Sequence, residues 1–149
     1  MVIDERILLS KGAISEDYNI ADLIFTEGDV LKYYYQILEG TVKLNNYTDN
    51  GKETLQHIVE KGNSFGEYLL FLENAPSPIN AIALTSCRIL RLPKISFFNL
   101  LNQHPEICFE INQNISQKLY FRQIMAKNIS TQSPSIKLKA LLDYLKSQQ

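Results

Sequence analysis

Only two cysteines, Cys87 and Cys108, occur in 149 residues, and two thiols cannot build a disulfide framework. Nor can they hold an iron–sulfur cluster, which takes four thiolates. Both are expected as small apolar packing residues. Histidine is equally scarce. His57 falls in a β-type stretch and His104 just before a helix, with no paired ligand spacing, so no metal site is expected. No nucleophile motif of the hydrolase kinds is present, which argues against an enzyme. No apolar run approaches the roughly 20 residues that cross a bilayer. The first residues include Asp4, Glu5 and Arg6, with too short an apolar segment for a secretory signal. These absences together leave a cytoplasmic, non-catalytic protein without a membrane partner.

What is present describes a folded chain. Hydrophobic residues make up 45% and charged residues 21%, an ordinary globular balance. The net charge of −1 hides an asymmetry. Lys118, Arg122, Lys127, Lys137, Lys139 and Lys146 face one acid, Asp143, so residues 118–149 carry +5 and the preceding part −6. An acidic body with a basic tail suits a sensor joined to a nucleic-acid-facing element; a lysine-rich solvated helix face fits the same numbers.

Along the chain, Gly28, Gly40, Gly51 and Gly62 recur at intervals of 12, 11 and 11 residues with β-type sequence between them. That punctuation predicts an antiparallel sandwich or barrel. Residues 33–38 are rich in tyrosine and branched side chains. In 41–47, Val42 and Leu44 alternate against Thr41, Lys43 and Asn45. Asp49-Asn50-Gly51 is a strong hairpin signal because such turns need positive φ, and 54–59 form the return strand. Residues 79–92 add further strand, with Ile82, Leu84, Ile89, Leu90 and Leu92 available for the interior. The opening segment, 4–17, can begin with a short helix, and its mixed pattern decides nothing further.

Beyond Pro93 the period changes. Residues 94–103 carry Ile95, Phe98 and Leu101 at helical spacing. Pro105 suits the first turn of a second helix, with Glu106 at its positive end. Neither proline nor glycine interrupts 106–129, so one long helix is expected. Ile111, Ile115, Leu119, Met125, Ala126 and Ile129 line one side, while Phe109, Tyr120 and Ile124 carry apolar character to others. A surface helix needs one apolar stripe. More than one predicts packing on the body and on a second chain, as a parallel coiled-coil homodimer with Ile111, Ile115, Leu119, Arg122, Met125 and Ile129 at its interface. The alternative is a helix wholly packed on its own domain. After a break at Ser130-Thr131-Gln132-Ser133-Pro134, Leu138, Leu141, Leu142 and Leu145 mark a last helix whose apolar side lacks its own core.

Residues 62–85 organise the rest. Gly62 and Gly66 allow a tight turn and close ligand approach. Gly66-Glu67 opens an apolar run, Tyr68 to Leu72, of one or two helical turns, and an anion could sit at such a start. Pro76 and Pro78 end it. Phe25-Thr26-Glu27-Gly28-Asp29, Tyr35-Gln36-Ile37-Leu38-Glu39-Gly40, Phe65-Gly66-Glu67 and Ala83-Leu84-Thr85 match, in order and spacing, motifs of the cyclic nucleotide-binding β-roll. With the long helix, the chain resembles the effector region of the cyclic-AMP receptor protein/Fnr family of bacterial transcription regulators.

The resemblance implies an α+β fold: an antiparallel β-roll, jelly-roll-like, followed by a long dimerisation helix. It divides the chain into a roll with flanking helices (1–103), the dimerisation helix (104–130) and the start of a truncated winged helix-turn-helix (131–149). No recognition helix can be placed before Gln149, so DNA would be reached only through a C-terminal domain absent here. It implies a sensory and dimerisation role coupling an unknown small-molecule effector to DNA binding. The alternative is a stand-alone β-roll that binds a small molecule or protein without DNA. Ligand-binding residues carried over are Phe65, Gly66, Glu67, Tyr68, Ser77 and Pro78, with Glu67 in the place of the ribose-binding glutamate. Where the family pairs an arginine with the cyclic phosphate, this chain has Ser77, followed by Pro78, which has no N–H. Weak or no cyclic-nucleotide binding is therefore expected, and no cofactor.

Overall fold

The computed structural model describes residues 1–128 and 134–147, with the side chains of 134–137 and 140 left aside. Ile129 and residues 130–133, which include the expected break, lie outside the described residues. The chain forms two compact units, Met1–Ile111 and Asn112–Gln149.

The first unit begins with helix α1 (Glu5–Ser10), capped by the Asp4 carboxylate accepting the Arg6 N–H at 2.8 Å. Eight strands follow: β1 (Ile14–Tyr18), β2 (Leu23–Phe25), β3 (Tyr33–Glu39), β4 (Val42–Tyr47), β5 (Glu53–Val59), β6 (Ser64–Phe65), β7 (Asn80–Ala83) and β8 (Cys87–Pro93). They make two four-stranded antiparallel sheets, in the orders β1-β8-β3-β6 and β2-β7-β4-β5. The pairs nest: β1 with β8, β2 with β7, β3 with β6, β4 with β5. The strands thus form one long hairpin rolled on itself, its tip at Asn50 and Gly51, where Thr48 and Lys52 close the turn by a 2.8 Å backbone bond. This is a β-roll followed by a long helix, the fold expected.

Between β6 and β7 lies a 3₁₀ helix, Glu67–Phe71. Helix α2 (Lys94–Gln103) follows β8, and Phe97 on it stacks on Tyr34 at 4.6 Å between ring centroids. Helix α3 (Pro105–Asn128) is continuous through 24 residues. In the second unit, α4 (Pro134–Ser147) runs beside the later part of α3. Leu141 is buried, and Tyr144 stacks on Phe121 at 3.9 Å, so the last helix has a packing partner its leucine spacing did not announce. No helix among the described residues is long and apolar enough to cross a membrane.

Two expectations need correction. Leu84 is 41% exposed and Ile82 only half-buried. Strand alternation turns Ala81 and Ala83 inward, opposite Leu44 and Val42. Asn45 is fully buried, since the register shifts between Leu44 and Asn45 and its side chain bonds to Glu53 and Asn80. The segment after α1, which the sequence pattern left undecided, is a strand, β1, paired along its length with β8.

Candidate ligand-binding site

The stretch that opens at Gly66 is organised by backbone conformation first. Gly66 adopts φ +72°, and a Cβ there would stand 2.9 Å from Leu31 Cδ2 and 3.2 Å from Phe25 Cζ. Glycine is needed for the turn and for close packing at once. The helix it starts has five residues and 3₁₀ geometry, so its aligned dipole is small.

The carried-over residues take different places. Phe65 is a core residue, stacked on Tyr35 at 5.4 Å and near Phe25 at 6.1 Å. Glu67 is 1% exposed, close enough to Tyr34 that its charge, after burial, helps push that phenol up. Tyr68 is half-buried. Ser77 is buried, and its hydroxyl donates to the Ile79 carbonyl at 2.8 Å while accepting the Ile79 N–H at 3.2 Å. Pro78 is exposed. The Ser77 side chain is therefore engaged in its own turn.

Both ends of this segment rest on the β2–β3 connection. The Gly28 N–H donates to the Ser77 carbonyl at 2.8 Å, and the Ser77 N–H donates to the Asp29 carbonyl at 2.7 Å. Gly66 sits on Phe25 and Leu31. On the same connection is a cavity of about 410 Å³, with Phe25, Asp29, Leu31, Lys32, Tyr33 and Tyr35 in its wall. None of the six carried-over residues lines it. Its one trace in the sequence was Tyr33 and Tyr35, which share a face of β3 by period two.

Along α3 the expected interface residues separate. Ile111 is fully buried within one chain and closes the first unit, so it is a core residue and not part of an open seam. Ile115 and Met125 are half-buried and Arg122 is exposed. Leu119 is 56% exposed, and Phe109, Tyr120 and Ile124 are exposed too. Ile129 lies outside the described residues. No group of three or more His, Cys, Asp or Glu among the described residues is placed to hold a metal ion.

A cyclic nucleotide-binding domain matches residues 16–104. The potassium channel SKOR of Arabidopsis thaliana is 33% identical over 98 residues, which is 66% of this chain and 11% of the channel. The global nitrogen regulator of Synechocystis is 22% identical over 130 residues, 87% of this chain and 58% of the regulator. The chain thus spans little more than half, or much less, of these relatives. Among solved structures, the c-di-GMP responsive global regulator CLP of Xanthomonas campestris superposes with a TM-score of 0.77 at 19% identity. That match covers 86% of this chain and 64% of CLP. At that identity the likeness is one of fold.

Proposed function

Since this chain belongs to the cyclic nucleotide-binding domain family, we propose that it is the sensory and dimerising part of a transcription regulator. A small-molecule effector held by the roll would bias the long helix, and through it a DNA-binding domain. The observation that carries this reading is α3. The domain match ends at residue 104, and the channel match can be accommodated by the roll. A regulator match covering 87% of the chain cannot be accommodated without the long helix. The helix also exposes Leu119, Tyr120 and Ile124, side chains that a second copy would cover.

Sedimentation at micromolar concentration is expected to give a homodimer, and Leu119→Glu, an exposed position, a monomer whose roll stays folded. A monomer at every concentration favours the stand-alone binding module instead.

The effector is not expected to be a cyclic nucleotide. Ser77 offers no charge, and its hydroxyl is already bonded to Ile79. A charge-assisted phosphate contact is worth roughly 1.5–3 kcal/mol, so its absence weakens binding by about one to two powers of ten. Calorimetry with cyclic AMP and cyclic GMP checks this. Low-micromolar affinity for either would overturn it.

A further inference from the structure

We infer that the cavity on the β2–β3 connection is a small-molecule site of its own, and that it takes an aromatic carboxylate. It goes beyond the reading above, needing neither a dimer nor a DNA-binding partner. At about 410 Å³ the cavity falls within the roughly 300–1,000 Å³ of small-molecule sites. Its wall is aromatic: Phe25 and Tyr35 lie 5.9 Å apart between ring centroids, and Tyr33 and Tyr35 6.2 Å. Rings spaced this way accept a further planar ring edge-on or offset. Leu31 supplies apolar contact beside them.

The charges select the ligand's sign. Asp29 is committed to its turn, its Oδ2 accepting the Thr26 N–H at 2.9 Å. Lys32 is exposed, and its ammonium has no ion pair or hydrogen bond among the described residues. The Arg91 guanidinium lies 4.8 Å from the Tyr33 ring centre, adding positive potential behind the wall, although it also pairs with Glu16 at 2.9 Å. An arylammonium would meet the unpaired Lys32 ammonium, and the Asp29 carboxylate that could offset it is already turned to the Thr26 N–H. A dianionic phosphate would face one uncommitted cation beside the Asp29 carboxylate. A monoanion on an aromatic ring matches what is available. The Tyr35 phenol, pushed up to about 12 by burial, stays neutral through the whole range in which a carboxylate ligand is ionised.

The site is tied to the family's ligand segment. Phe25 and Leu31 bear directly on Gly66, and Asp29 and Gly28 hold the Ser77 backbone. A ring wedged against Phe25 and Leu31 therefore presses on the Gly66 turn.

The test is a titration of the full chain with benzoate, benzamide and benzylamine, followed by amide ¹H–¹⁵N shifts. Saturable shifts are expected at Lys32, Tyr33 and Tyr35, spreading to Gly66 and Ser77. Benzoate should bind at least about fivefold more tightly than the amide or the amine. Lys32→Ala, at an exposed position that leaves the fold intact, should bring benzoate to the level of benzamide. No saturable shift at these amides up to about 10 mM benzoate overturns the proposal, since weaker binding falls below about 3 kcal/mol. Equal binding of the three probes, or no effect of Lys32→Ala, overturns it equally. A monomer that binds benzoate would keep this site and sink the regulator reading; a dimer that ignores benzoate would do the reverse.

Discussion

Gly40 sits where the chain leaves β3 for β4 and crosses from one sheet to the other. Its φ is +94°, and a Cβ would stand 2.3 Å from the Ser86 carbonyl oxygen and 2.8 Å from Cys87 Sγ. A flexible side chain could yield; a backbone carbonyl between two strands cannot. Gly40→Ala therefore combines a left-handed backbone penalty of about 1–2 kcal/mol with a clash that displaces the start of β8. A loss above about 2 kcal/mol is expected, read as a lower urea midpoint at unchanged slope. Gly28 is the contrast, since a Cβ there meets nothing within 4 Å, and Gly28→Ala should cost only the backbone part. If both substitutions cost the same, the crowding at Gly40 is not what fixes that corner.

The N-terminal strap shows how a short element is held by one buried side chain of another. Val2 N–H donates to the Gly62 carbonyl at 3.0 Å, and Ile3 is fixed at both ends by Gln36 of β3. Gln36 Oε1 accepts the Ile3 N–H at 3.0 Å and the Tyr34 hydroxyl at 2.7 Å, while Nε2 donates to the Ile3 carbonyl at 2.7 Å. Gln36→Leu keeps the volume but strands these groups in the interior, at an expected cost of about 2–4 kcal/mol. Amide exchange should show Ile3 losing protection before the strands do. Nothing in the local pattern marks Gln36, because a glutamine among apolar neighbours reads as the solvent face of a strand. The same kind of failure hid β1: Ile14-Ser15-Glu16-Asp17-Tyr18 has no apolar alternation of its own, and β8 holds it through the ladder and the Arg91–Glu16 and Arg88–Asp17 pairs. By contrast, the hairpin tip, the return strand and both helices after Pro93 were legible, since Asn50-Gly51 and an unbroken helical period are local signals. The cassette was legible as a motif. Its contacts were not, because Gly66 against Leu31 and Ser77 against Asp29 join residues far apart in sequence.

Across the whole molecule the two units differ in what they bury. The first encloses Phe65, Phe97, Ile37, Leu90, Leu100 and Ile111 at almost no exposure. In the second, the described residues contribute Phe121 and Leu141 to the interior, with Tyr144 stacked on Phe121. Helix propensity alone does not hold segments of this length in water, so the described part of this helical pair depends on those few contacts. The stretch of α3 beyond Ile111 should therefore open far more readily than the roll when the protein is dilute. If the exposed side chains Leu119, Tyr120 and Ile124 are covered by a second copy, mass action ties that opening to protein concentration. Hydrogen exchange makes the distinction. Amides of β3, β8 and the first turns of α3 should exchange at a rate independent of concentration. Those between Asn112 and Asn128 should gain protection as concentration rises from nanomolar to micromolar. Leu119→Glu should erase the gain and leave the roll's protection as it was. Equal protection of both parts at every concentration would mean that the long helix is stabilised within its own chain, and the dimer would lose its physical ground.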